Sequence, residues 1–181
     1  MNILILTKII EQIPSDGGIV SSDIDTCVSK GSLNAALRGV GAVCKAIDDV
    51  YSGKAKNAFC LTRPPGHHAL KASSMGFCLF GNTAVAAHHA LRKESIQRVA
   101  IVDFDVHHGN GTQELVENNP NILFFSIHQE ELWPYQGKSV DRGACGNIRN
   151  YPVQEKSDPK IYHQIFQENI LPELEMFKPD L

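Results

Sequence analysis

The stretch that most restricts what this chain can fold into is Val99-Ala100-Ile101-Val102, which runs without a break into Asp103-Phe104-Asp105-Val106-His107-His108-Gly109-Asn110-Gly111. A continuous apolar run closed by polar residues and glycines predicts a strand buried on both faces, here from Gln97 to Phe104. Strands of that kind belong to parallel sheets covered by helices, and such sheets carry their sites beyond the carboxyl ends of the strands. Asp105 and His107 are two apart, so on an extended backbone they point to the same side and can close on one metal ion. A second cluster, Arg63-Pro64-Pro65-Gly66-His67-His68, follows the short apolar run Asn57 to Leu61, read as another buried strand. Its Pro-Pro-Gly turn stiffens the chain that delivers the paired imidazoles. Together the two clusters point to metal-assisted hydrolysis.

The remaining periodicity alternates helix and strand. Ser32 is a cap for a helix from Leu33 to Val50, with Leu33, Ala36, Leu37, Val40, Val43, Cys44, Ile47 and Val50 on one face and Gly53 as its stop. Asn82 caps a second helix through Lys93. A helical turn spans Thr112 to Glu117, and a strand spans Ile122 to Ile127. Ser157 or Asp158 opens a last helix bent at Pro172, and Lys178-Pro179-Asp180-Leu181 lies where one more strand would begin. The expected architecture is α/β, a parallel sheet with helices on both faces.

Composition narrows the function. The 181 residues, 43% hydrophobic, suffice for one domain with a real core, and no linker or low-complexity tract divides them. A net charge of −3, from 17 basic and 20 acidic residues without long runs, leaves no electrostatic footprint for nucleic acid or an anionic membrane. The apolar Met1 to Leu6 run ends at Lys8, too short for a signal sequence, and no later stretch reaches the length of a membrane span. The five cysteines, Cys27, Cys44, Cys60, Cys78 and Cys145, include no Cys-x-x-Cys pair and fit reduced thiols in a cytoplasmic setting. His88-His89 sits in a helix pattern of Ala and Leu and is read with His163 as ordinary surface-and-core histidine. His128 follows a strand end, and Cys78 is read as a small packing residue.

Three segments, Arg63-Pro64-Pro65-Gly66-His67-His68-Ala69, Gly76-Phe77-Cys78-x-x-Gly81-Asn82 and Asp103-x-Asp105-Val106-His107-His108-Gly109-Asn110-Gly111-Thr112-Gln113, resemble the histone deacetylase family of zinc amidohydrolases. That group includes bacterial and archaeal deacetylase-like, acetoin-utilisation and acetylpolyamine amidohydrolase proteins, and the Arg-Pro-Pro-Gly form and Asn110 are closer to its class II branch. The resemblance runs from about Ser22 to Leu181. It implies an incomplete arginase/deacetylase-like three-layer sandwich, with residues 1–181 forming a single, partial domain that lacks both ends.

The resemblance also implies roles. Asp105 and His107 match two zinc ligands; the third, an aspartate beyond the strand that would start near Pro179, has no match here. His67 and His68 match the imidazoles that take the proton from the attacking water and protonate the leaving amine. Asp103 and Asn110 match the partners that orient them. Gly76 matches a backbone contact to the substrate amide, Phe77 one wall of the acyl-lysine channel, and Trp133 the opposite wall. Asp25, with Asp23 as its rival, matches the rim carboxylate that grips the substrate backbone. Asp103, Asp105, His107, Ser126 and Ile127 resemble a structural potassium site. The oxyanion-stabilising tyrosine of the family has no match either. The implied activity is zinc-dependent removal of acetyl groups from acetyl-lysine proteins or acetylpolyamines, weak or absent in this chain alone, in the cytoplasm or, in a eukaryote, the nucleus.

Rival readings come from other classes. A binuclear ureohydrolase wants a second carboxylate two places after His107, and that position is Gly109. A phosphoesterase gives no reason for Arg-Pro-Pro-Gly-His-His and wants a phosphate-cradling loop. A non-catalytic fragment that binds acetylated ligands or a partner is the third.

Overall fold

The computed structural model describes residues 20–21 and 25–181. The Met1 to Leu6 run, Ser22 and Asp23 lie outside the described residues. The chain divides into two compact units, residues 1–90 and 91–181.

In the first unit, β1 (Val20–Ser21) pairs antiparallel with β2 (Cys27–Val28). Helix α1 spans Ser32–Tyr51 and α2 spans Asn82–Ala90. Ser32 is inside α1 rather than capping it: Gly31 is the N-cap, and the Ser32 hydroxyl accepts the Ser29 N–H at 2.9 Å. Gly53 does close the helix, its N–H donating to the Val50 carbonyl at φ +74°, where a side chain would be strained. On the expected face Ala36 is buried, Leu37 is exposed, and Gly39 rather than a large side chain makes the close approach, beside Thr62 and Asn82. Val28, Ala36, Leu79 and Phe80 form the buried cluster, with Leu33 and Val40 packed on it.

The expected strand Asn57 to Leu61 is not formed. Phe59 and Leu61 are each 88% exposed, and the Thr62 N–H turns back to the Cys60 carbonyl at 3.1 Å, so a tight local bond stands where a ladder partner was expected. Asn82 is likewise within α2, its side-chain amide donating to the Pro64 carbonyl at 3.3 Å. The helix stops at Ala90, three residues before Lys93.

The second unit holds a three-stranded parallel sheet in the order β3 (Val99–Asp103), β4 (Ile122–Gln129), β5 (Ile148–Val153). The register pairs Asp103 with Ser126 and Ser126 with Asn150. β5 was not expected, because Arg149, Asn150 and Pro152 break its apolar pattern. Pro152 is tolerated in an outer strand, where one side needs no ladder donor. Leu123, Phe125, Ile127, Val153 and Ile170 bury one face beneath α4 (Pro159–Ile165), a π-helical turn (Phe166–Ile170) and α5 (Leu171–Phe177). Asp158 caps α4 by accepting the Lys160 N–H at 2.8 Å. The expected bend at Pro172 takes the form of the π turn, in which the Leu171 N–H reaches back to Phe166 ahead of a residue that has no N–H to give.

Helix α3 (Asn110–Val116) covers the other face, where Ile122, Phe124, Ser126 and His128 are buried. Full burial of Phe124 and Phe125 contributes roughly 1.5–3 kcal/mol each. The Asn147 amide ties this layer together, lying 3.0, 3.1 and 2.7 Å from the carbonyls of Val116, Asn119 and Ile122. At the chain's end Asp180 N–H donates to the Arg98 carbonyl and Ala100 N–H to the Leu181 carbonyl, so these residues do run along the free edge of β3. Among the described residues no helix is long and apolar enough to cross a membrane.

Candidate active site

Both clusters singled out in the sequence are held by local bonds rather than by strand geometry. β3 ends at Asp103, and the next six residues form bends and loop. Asp103 Oδ1 accepts the Asp105 N–H at 3.1 Å, and Asp105 Oδ1 accepts the His107 N–H at 2.8 Å. Two successive side-chain-to-backbone turns of this kind bring Asp105 and His107 together, which replaces the extended alternation expected from their spacing. Their side chains meet, with Asp105 Oδ1 3.1 Å from His107 Nδ1. The Gln129 N–H donates to the Val106 carbonyl at 2.8 Å and pins the loop to the end of β4. Trp133 presents itself edge-on to the His107 ring, with centroids 6.0 Å apart.

Gly109 is required here by space. A Cβ at this position would lie 2.2 Å from Asp103 Oδ2 and 3.2 Å from Phe124 Cζ. Asn110 follows as the buried first residue of α3, and Ser126 and Ile127 are buried on β4.

Beneath this loop lies a buried network that the motif gave no reason to single out. His108 and His128 sit with ring centroids 4.7 Å apart, and a Cβ on Gly137 would meet both rings at 2.5–2.7 Å. His128 Nε2 donates to the Gly137 carbonyl at 3.1 Å, which leaves Nδ1 to accept from the Ser126 hydroxyl at 3.0 Å. His108 Nε2 donates to Gln113 Oε1 at 2.9 Å, and Asn150 donates to that same oxygen at 2.9 Å. Burial, reinforced by His128, pushes the His108 imidazole down to about 4, and burial lowers His128 as well. Both rings are therefore neutral at pH 7. His128, expected just after a strand end at Ile127, lies inside β4, which runs on to Gln129; Gln113 closes the third motif segment without any sign of its partners, and Gly137 carried no signal.

In the first unit, Gly66 is the residue that lets the Arg-Pro-Pro turn close. Its Cβ would fall 2.6 Å from the Asn82 nitrogen and 2.9 Å from the Phe80 oxygen, both backbone atoms. The His67 and His68 rings then stack at 3.8 Å, tilted by 44°, and His68 is buried. Cys78 is more than packing: its Sγ accepts the His68 N–H at 3.4 Å and donates to the Gly76 carbonyl at 3.2 Å. Phe77 holds φ +66° with its ring exposed, a backbone state that costs a bulky L residue roughly 1–2 kcal/mol. Asp25 and Phe77 line one open cavity of about 450 Å³ with Arg63, Pro64 and Pro65. His89 bonds Asp48 at 2.8 Å between α2 and α1.

Oxygen from Asp105 and nitrogen from His107 are donor types that suit zinc. Catalytic zinc sites take three protein ligands, and among the described residues no group of three or more His, Cys, Asp or Glu side chains is placed to hold a metal ion. The pair fits by chemistry and falls one donor short by number.

Residues 6–181 match the histone deacetylase domain, a longer match than the start near Ser22 read from the motifs. A protein of Synechocystis is 44% identical over 176 residues, covering 97% of this chain and 57% of the relative. A histone deacetylase-like amidohydrolase of Pseudomonas aeruginosa is 41% identical over 172 residues, covering 92% of this chain and 45% of the relative. The crystal structure of the HDA15 HD domain superposes with a TM-score of 0.93 at 35% identity, covering 99% of this chain and 54% of that one. That of an acetylpolyamine aminohydrolase from Burkholderia pseudomallei gives 0.81 at 35% identity, covering 87% and 47%. The chain thus spans about half the length of these relatives, and its fold is the arginase/deacetylase one. The chain belongs to the histone deacetylase family.

Proposed function

We propose that the protein to which this chain belongs removes acetyl groups from acetyl-lysine in proteins or peptides, or from acetylated polyamines. The observation that carries the reading is the meeting of Asp105 and His107 at the carboxyl end of β3, beside Trp133. Asp105 and His107 hold zinc, with a further donor that these two do not supply. Zinc held there would supply Lewis-acid chemistry toward the acetyl carbonyl and the attacking water. His67 and His68 move the protons, one taking the water's and one giving to the leaving amine, and Asp103 and Asn110 orient them. An amide at 110 carries no charge, so it leaves its imidazole less basic than a carboxylate would. Gly76 holds the substrate amide through its backbone, Phe77 and Trp133 flank the acyl-lysine stem, and Asp25 grips the substrate backbone at the rim. Asp103, Asp105, His107, Ser126 and Ile127 bind potassium, a reading supported by Asp103 and Ser126 facing each other across the register. All five cysteines are free thiols, which supports a reducing, cytoplasm-like setting.

Two donors hold zinc weakly, so the 181-residue chain alone is weak or inactive. That shortfall also favours a second reading, a non-catalytic fragment that binds acetylated ligands or a partner. The test joins this chain to the remaining carboxyl-terminal part of the Synechocystis relative and measures acetate release from an acetyl-lysine peptide and an acetylpolyamine. Zinc-dependent release that His67→Ala and His68→Ala each reduce by about 10²-fold or more is the expected result. A folded, zinc-loaded chimera that releases no acetate would leave the binding-fragment reading in place.

A further inference from the structure

Met75 and Cys78 are bridged, with the Cys78 N–H donating to the Met75 carbonyl at 3.0 Å, and the two residues between them are Gly76 at φ +56° and Phe77 at φ +66°. Two consecutive left-handed residues under such a bond make a turn of the primed type, which favours glycine or asparagine at both positions. Glycine is present at the first position; at the second stands a phenylalanine whose ring is 62% exposed. An exposed ring supplies little packing to hold its own strained backbone, so the restraint comes from elsewhere.

It comes from Thr26. The Phe77 N–H donates to Thr26 Oγ1 at 2.9 Å across 51 residues of chain, and Thr26 is only 1% exposed. Both ends of this bond are anchored in one buried cluster, since Val28 follows Thr26 by two residues, Leu79 follows Phe77 by two, and both belong to it. Thr26 also directly follows Asp25, which lines the same cavity as Phe77. One buried hydroxyl therefore links the aromatic ring and the carboxylate of that cavity.

We propose that Thr26 is a positioning residue: its hydroxyl holds the Phe77 backbone in the left-handed state, so that the ring and the Asp25 carboxylate present a fixed distance to the stem and backbone of an acyl-lysine substrate. The role rests on the reading of Phe77 as a substrate wall. Threonine is suited to it because the hydroxyl accepts the bond while the branched methyl restricts its rotamer.

The test uses the isotope-labelled chimera described above as wild type, Thr26→Val and Thr26→Ser, with an acetyl-lysine peptide as probe. Two quantities are read by NMR: hydrogen exchange at the Phe77 amide, and peptide affinity from shifts at Gly76 and Phe77. Thr26→Val, which removes the hydroxyl at nearly constant shape, is expected to speed Phe77 exchange about tenfold or more and to weaken the peptide about fivefold. Thr26→Ser, which keeps the hydroxyl, is expected to stay within about twofold of wild type in both. Should Thr26→Val fail to fold, Thr26→Ala gives the same reading without a buried methyl branch. Unchanged exchange and affinity on losing the hydroxyl overturn the proposal. A wild-type chimera whose Gly76 and Phe77 ignore the peptide overturns the reading of Phe77 as a substrate wall and the role of Thr26 with it, even where exchange confirms the bond.

Discussion

The carboxyl end of the β3–β4–β5 sheet and the loop that bears His67 and His68 carry chemically similar residues on different supports. At the sheet end each side chain is a few residues from a strand with fixed register: Asp103 faces Ser126, Ser126 faces Asn150, and the Asp105–His107 turn is pinned to Gln129. In the first unit the apolar run before the histidines forms no ladder among the described residues. The imidazole pair is held instead by the space at Gly66, the Asn82 amide on Pro64 and the Cys78 thiol on His68. The sheet-end cluster is set by aspartate-to-backbone turns that start from a strand of fixed register, whereas the loop cluster is set by side chains and a glycine with no strand among the described residues leading into it. Variants should therefore separate the two regions.

The largest expected effect is on the sheet side and comes from pH. His108 titrates at about 4 in the folded protein and near 6.5 unfolded, so between those values the unfolded chain takes up a proton that the folded one refuses. Stability is complete above about pH 6.5 and falls with acid by about 3 kcal/mol on approaching pH 4, with His128 acting in the same direction. Urea midpoints between about pH 7.5 and 4.5 measure it, and a flat profile would contradict the buried neutral pair.

Next is Gly66→Ala, at about 2–3 kcal/mol, because the added Cβ meets backbone atoms that cannot swing away. Gly109→Ala should cost less, about 1–2 kcal/mol, since its nearest obstacle is the end of the Asp103 side chain. That variant should nevertheless displace the Asp103 carboxylate and with it the Asp105 turn, visible as shifted amide resonances at Asp105 and His107. Equal costs at the two glycines would mean that both supports are equally rigid. The smallest effect is at the start of α4, where Asp158→Ala removes the cap and about 1 kcal/mol, read from thermal unfolding, with the amide resonances of both clusters unchanged.

The same contrast explains what could be read in the sequence. β3 and β4 were legible because their runs are apolar, β4 buried almost throughout and β3, shorter than the expected Gln97 to Phe104, buried at Val99 and Ile101; so was the parallel α/β class. β5 was not, because Arg149 and Asn150 spend their side chains on Glu173 and Gln113 and so interrupt the pattern that marks a strand. Asn57 to Leu61 misled for the opposite reason: composition predicts burial, yet a strand also needs a partner. Ser32 and Asn82 are good capping residues by type, but the Ser32 hydroxyl bonds Ser29 in the turn just ahead of its helix, and the Asn82 amide bonds Pro64 in another loop. The chemical clusters were visible as residue types, but the convergence of Asp105 and His107 comes from turns that aspartate builds with the backbone, and Thr26, Gln113 and Gly137 are joined to the sites only through the fold.

The central claim is that Asp105 and His107 are donors to a single zinc ion. Metal content after equilibrium dialysis against zinc, compared between the chimera described above and its Asp105→Ala and His107→Ala variants, tests it most directly. The account predicts one equivalent in the parent and a loss of affinity of more than about 100-fold in each variant, beyond the effect of removing an outer partner. Two equivalents in the parent, or one equivalent retained at unchanged affinity in both variants, would contradict it.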